Sequence, residues 1–126
     1  MQVVGKSQGI SVKKPEGTDV TYYIFPEYEI HYNEVAAGTI QPWHHHNQIE
    51  ETLYIISGKI EAHWIENGAK KNKTLHTGDV VRVENTPHTF INNSSSVVAF
   101  VVFRLVLEGK DKHEVIKNDK HLDDVP

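Results

Sequence analysis

The segment Gly38–Gly58, GTIQPWHHHNQIEETLYIISG, decides how the chain is read. Three consecutive histidines stand three residues ahead of two consecutive glutamates, in a chain of 126 residues that has no cysteine. Disulfides, thiolate nucleophiles and sulfur ligands are therefore excluded, and any metal held here takes imidazole and oxygen. His44 and His46 are two apart, so in an extended segment both point to one face while His45 points away. Glu51 has the wrong parity to join them on an unbroken strand, so its use as a ligand requires a turn or bulge at Asn47 to Ile49. Glu50 has the right parity and competes. Glu51 shares a face with Leu53 and Ile55, as an interior row would. Yet Thr52, Tyr54 and Ile56 are nearly as apolar, so the strand reads as buried on both sides and both glutamates stand.

Strand signals extend outward from this segment. Thr21 to Phe25 and Tyr28 to Val35 are aromatic and β-branched, and Thr52 to Ser57 and Lys59 to Ile65 flank Gly58. Asn67-Gly68 is a turn signal, and Lys70, Lys71 and Lys73 read as part of that turn. Asp79 to Val83 and His88 to Asn92 are short strands on either side of Pro87, and Val97 to Leu107 is the longest apolar run. From about Glu108 the chain is a polar tail, read as a helical turn and a frayed end. Short strands with turns every ten residues or so predict an all-β sandwich or barrel, one domain over residues 1–126.

Composition excludes several functions. Hydrophobic residues at 38% and charged residues at 24%, with five prolines and eight glycines, argue against disorder or a fibrous repeat. The net charge is -4 and basic residues are dispersed, so no nucleic-acid surface is expected. No apolar run suits a signal peptide or a membrane span, and a cytoplasmic protein with no membrane partner is expected.

A further ligand has to come from farther along. GDVVRVENTPHTFIN offers His88 just after Pro87, with Phe90 and Asn92 on its face, to close a site of three histidines and one carboxylate. Trp43 and Phe90 flank the ligands as packing residues or as pocket walls, and Gln48 reads as a hydrogen-bond donor to substrate or as a turn residue. His45 reads as an outward surface residue. His31, His63 and His76 read as half-exposed strand positions, His113 and His121 as solvated, and Tyr23, Phe25, Tyr32 and Phe103 as core. Arg104, alone in an apolar strand, is either an anchor for a carboxylate substrate or a residue of an exposed face or dimer ion pair.

These segments resemble the two motifs of the cupin superfamily. Its first motif, a glycine, five residues, His-x-His, three or four residues, a glutamate, six residues and a glycine, is matched by Gly38, His44, His46, Glu51 and Gly58. Gly78, Pro87, His88 and Asn92 match the second, except that Asn85-Thr86-Pro87 occupies a turn where the family usually has a glycine. The resemblance implies a small single-domain jelly-roll barrel, the double-stranded β-helix, with a metal held by His44, His46, Glu51 and His88. It also implies one divalent transition metal (iron, manganese, nickel, zinc, copper or cobalt), a small-molecule substrate or ligand, and a homodimer. The expected activity is that of a metal-dependent oxygenase, isomerase or decarboxylase on a small oxygen-rich molecule. The alternative is a non-catalytic module that binds a small molecule or metal.

Overall fold

The computed structural model describes residues 1–106 and 112–126. Eleven strands follow in order: β1 (Ile10–Lys13), β2 (Thr18–Ile24), β3 (Tyr28–Val35), β4 (His44–His45), β5 (Ile49–Ser57), β6 (Lys59–Glu66), β7 (Ala69–His76), β8 (Val80–Arg82), β9 (His88–Ile91), β10 (Val98–Val106) and β11 (His121–Leu122). A short helix, α1 (Lys112–Asn118), precedes β11. The strands form two antiparallel sheets, one of order β1-β2-β3-β10-β5-β8 and one of order β11-β4-β9-β6-β7. This is the jelly-roll architecture. No helix among the described residues is long and apolar enough to cross a membrane.

The core lies between the sheets. Val35, Leu53, Ile55, Val98, Phe100 and Val102 from the larger sheet meet Ile60, Ala62, Leu75 and Phe90 from the smaller one. Strand β5 shows how alternation sets this: Ile49, Glu51, Leu53 and Ile55 are buried, whereas Tyr54 is 45% exposed and Ile56 39%. The expectation of a strand buried on both sides is therefore corrected, since nothing among the described residues covers the outer face. Phe103, expected in the core, points out by the same alternation and is 42% exposed. Tyr23, Phe25 and Tyr32 are half-buried.

Three strands, β7, β1 and β11, escape the sequence reading. Lys70, Lys71 and Lys73 belong to β7, which pairs with β6 from Glu66↔Ala69 to Lys59↔His76. Only Leu75 of that strand is buried, so it carries almost no hydrophobic signal. Lysines suit such an edge because they oppose pairing with another chain. β1 is likewise an exposed edge. The tail does not fray: α1 packs Ile116 against Ile49 and Val106, and β11 pairs with β4. Leu107, expected to end the long strand, and the start of the tail near Glu108 lie outside the described residues.

The turns explain the motif residues. Asn67 and Gly68 both have positive φ, at 52° and 77°, in the two-residue hairpin that Asn-Gly signals. Gly58 has φ 85°, and a Cβ there would lie 3.0 Å from Val98 Cγ2 and 3.2 Å from the Val97 carbonyl. Asn92 is fully buried; its amide donates to the carbonyls of Val35, Ala36 and Ser96, and its oxygen accepts from Ser94. Gly68→Ala should cost only left-handed strain, about 1–2 kcal/mol. Gly58→Ala should add about 1–3 kcal/mol of overpacking, so its urea midpoint should fall clearly below that of Gly68→Ala.

Candidate metal centre

The three ligand-type histidines come from the smaller sheet. His44 on β4 is the cross-strand partner of His88 on β9, and His46 returns to the same face two residues later. Their ring centroids are 4.3 Å apart for His44–His88, 5.1 Å for His44–His46 and 6.0 Å for His46–His88. One nitrogen from each ring lies within 4.8 Å of the other two, and all three residues are buried.

Each ring is held in one tautomer by the backbone. Nδ1–H of His44 donates to the Pro42 carbonyl at 2.9 Å, that of His46 to Asp119 at 3.1 Å, and that of His88 to Thr86 at 2.7 Å. A carbonyl only accepts, so each ring carries a proton on Nδ1, and in the neutral form of each ring Nε2 is the lone pair that can take a metal. Burial, then the neighbouring His88, pushes the His44 imidazole down to about 3, and burial also lowers His88. Both are neutral near pH 7.

The acidic partner arrives from the opposite sheet. The bend at Asn47–Gln48 separates β4 from β5, as the parity of Glu51 requires, and Glu51 faces the histidines from β5. Glu50 points outward and pairs with Arg82 at 2.7 Å. Burial alone would raise the Glu51 carboxyl, but Arg104, then His46 and His88, hold it well below the usual carboxylate range. Its Oε2 lies 3.0 Å from His46 Nε2 and 3.0 Å from Arg104 Nε. None of these three atoms, nor His88 Nε2, has an aligned hydrogen bond, although all are buried.

That arrangement fits a metal ion. The 3.0 Å between His46 Nε2 and Glu51 Oε2 suits either a proton on Nε2 or a metal ion bound by both atoms. Two ligands about 2.1 Å from one ion and at right angles stand about 3 Å apart. His44, His46 and His88 thus have the donor type and mutual spacing that a first-row divalent ion takes, and Glu51 stands 3.0 Å from one of them, His46.

Comparison with known proteins gives the family and the fold. Residues 31–104 match the model of the Cupin_2 family, described as a cupin domain. The chain belongs to the cupin family. No curated protein matches it by sequence. Among solved structures it is similar to a single-residue variant of the oxalate decarboxylase of B. subtilis, with TM-score 0.75 and 14% identity over 94% of this chain and 31% of that one. It is also similar to Fe(II)-HppE in complex with the alternative substrate (S)-1-HPP, with TM-score 0.68 and 15% identity over 83% of this chain and 60% of that one. A third is the Cupin_2 domain of an XRE family transcriptional regulator from Enterobacter cloacae, with TM-score 0.62 and 21% identity over 73% of this chain and 99% of that one. This cupin therefore spans about a third of the decarboxylase chain and three fifths of the HppE chain.

Beside the centre, a cavity of about 40 Å³ is bounded by His44, Glu51, Phe90, Arg104, His31 and Tyr22. Phe90 thus stands at the cavity, whereas Trp43 and Gln48 are not among its lining residues. Trp43 is half-buried and its carbonyl accepts from Asp123; Gln48 is exposed. A second, wider cavity of about 430 Å³ reaches His88 and Phe90 from the side of Trp64, Leu75 and Val81.

Residues that read as bland are built into the surroundings. His31 is buried rather than half-exposed, and gives its Nε2–H to Glu29 at 2.8 Å. His113 binds the other Glu29 oxygen at 2.9 Å, so it is not simply solvated. His45 is half-buried, donating to Asp123 and stacked on His121. His63 is half-buried beside Glu61, and His76 is exposed. Arg104 faces inward, its side chain 17% exposed, because it shares the inner face of β10 with Phe100 and Val102.

The principal residue missed in the sequence is Asp119. Its Oδ2 accepts the backbone N–H groups of Asn47, Gln48 and Ile49 at 2.9, 2.6 and 3.1 Å, clamping the bend that re-aims Glu51. Its carbonyl also holds His46 Nδ1. In the sequence it is only one residue of a polar tail, with no local pattern tying it to a loop 70 residues earlier.

Two outcomes follow. Asp119→Ala should lower stability by about 2–4 kcal/mol in urea titration, through three N–H groups left without their charged acceptor. It should also weaken metal affinity about 10-fold in calorimetry, although no ligand is altered. In the metal-free protein, the folded state refuses the proton that His44 accepts in the unfolded chain. Stability is therefore full above pH 6.5 and falls as pH drops from there toward 3. Urea midpoints at pH 7.5 and 5.5 should show the loss, and His44→Asn should reduce it, leaving the smaller part that His88 and His31 contribute in the same direction.

Proposed function

We propose that this cupin is a metal-dependent enzyme acting on a small oxygen-rich molecule at His44, His46, Glu51 and His88. Dioxygenase-type chemistry is the first reading, with isomerisation or decarboxylation next. The observation that carries it is the set of three imidazoles whose Nδ1–H groups are all engaged by carbonyls while two buried Nε2 atoms and Glu51 Oε2 lack partners. A bound divalent ion would supply Lewis acidity at a substrate oxygen and, if it were iron, manganese or copper, redox chemistry as well.

The chain's own residues do the rest. Leu53, Phe90, Phe100 and Val102 wall the cavity with apolar surface, which limits water and strengthens every charge inside it. His31 gives its Nε2–H to Glu29, leaving Nδ1 as a lone pair at the cavity wall, where it is suited to take a proton from substrate. Tyr22 packs edge-on against that ring at 4.4 Å and fixes its plane.

A binding module remains the second reading, favoured by the similarity over nearly the whole length of a domain from a transcriptional regulator. Metal content by plasma mass spectrometry, on untagged protein grown with all candidate metals, should give about one ion per chain. His46→Ala and His88→Ala should lose the ion while keeping a β-type circular dichroism spectrum. Glu51→Gln should weaken binding and Glu50→Gln should leave it unchanged. Oxygen uptake by the loaded protein with small chelating acids separates an enzyme from a module, which would bind them without turnover.

A further inference from the structure

Two segments outside the stretch matched to the family model bring cations to the cavity beside the metal centre. Lys14 lies in the turn after β1, which is closed by Lys14 N–H to the Thr18 carbonyl at 2.8 Å and Gly17 N–H to the Lys14 carbonyl at 3.1 Å. Lys120 follows Asp119 in the segment that clamps the His46 bend. Both line the cavity together with Arg104. Three cations thus meet only two carboxylates in the cavity wall, Glu16 and Glu51, and Arg104 Nε already lies against Glu51.

Neither lysine ammonium has a carboxylate within 4 Å among the described residues. Loss of hydration, then the charges of Lys120 and Arg104, lower Lys14 to about 8. Lys120, an exposed residue that also lines the cavity, is lowered by partial loss of hydration and then by Arg104. The three groups are close enough to disfavour one another's charge, and a bound anion would relieve that repulsion.

We infer that the cavity takes a small dianionic chelator, one carboxylate directed at the metal centre and the other held by Lys14 and Lys120 with Arg104 behind them. This rests on the metal-site reading above and names the substrate class for it. The size agrees: a cavity of about 40 Å³ holds roughly three waters, or a molecule of a few heavy atoms. The charge agrees as well, because a divalent ion would leave an excess of three positive charges facing the cavity, and a dianion offsets most of it. Glu16 and Glu51 oppose anions of higher charge. A neutral sugar or alcohol would accept hydrogen bonds from the ammoniums but leave their charge uncompensated.

The test compares oxalate with its neutral isostere oxamide. Metal titration comes first, by calorimetry on wild type, Lys14→Met and Lys120→Met. Both variants should bind metal at least as tightly as wild type, with urea midpoints no lower than that of wild type, because neither lysine is a ligand or a core residue and each substitution removes a like charge. The metal-loaded wild type should bind oxalate at least 10-fold more tightly than oxamide, and each lysine variant should lose about 10-fold in oxalate affinity. Metal binding with no preference for oxalate would overturn this inference alone. Oxalate affinity insensitive to both lysines would do the same, showing bare chelation by the ion. If no metal binds, the metal-dependent reading falls, and this inference with it.

Discussion

The three Nδ1–H donations from His44, His46 and His88 to backbone carbonyls are the constraint on which the centre depends. A free imidazole exchanges its proton between two nitrogens and rotates about χ2, so a cluster of three has many arrangements, most of which block metal binding. Each carbonyl selects one tautomer and one ring plane. Burial then removes the charged form, most strongly at His44. The result at His44 and His88 is a pair of neutral rings whose Nε2 lone pairs are buried, an arrangement suited to a cation.

Glu51 and Arg104 extend the same logic across the barrel. They are cross-strand partners on β5 and β10, and face the histidines from the other sheet. Arg104 keeps Glu51 ionised in a place where burial alone would protonate it. On the far side of Arg104 in the register lies Glu29, itself lowered because its bonds to His31 and His113 outweigh the effect of burial. Alternating charges across one inner face therefore reach from the histidine cluster to the buried His31. The apolar residues above and below this row reduce screening, so each charge acts more strongly on its neighbour than it would at the surface.

The carboxy-terminal segment has a role out of proportion to its composition. Through Asp119 it fixes the bend between β4 and β5 and the orientation of His46, and through β11 it completes the smaller sheet beside β4. Lys120 reaches the cavity from the same segment. A stretch that reads as a polar tail thus sets ligand geometry and contributes to the charge of the pocket. Such contacts leave no period in the sequence, because the partners of Asp119 are backbone N–H groups, which every non-proline residue has.

Alternation and turn chemistry are local properties, so the all-β class and the hairpin at Asn67-Gly68 were legible in the sequence, and the residue types of His44, His46 and His88 marked them as candidate ligands. The sequence also required a break at Asn47 to Ile49, where the bend lies. It left β7 and β1 unseen, since edge strands bury little and need no apolar face. It left Glu50 and Glu51 in competition, because both faces of β5 are apolar in sequence and only the packing of one sheet on the other makes one of them interior. The same packing sent Phe103 outward and Arg104 and His31 inward. Tertiary structure alone decided which polar groups lose their water, and therefore which are neutral, which are charged and which await a partner, because that depends on distances between segments far apart in the chain.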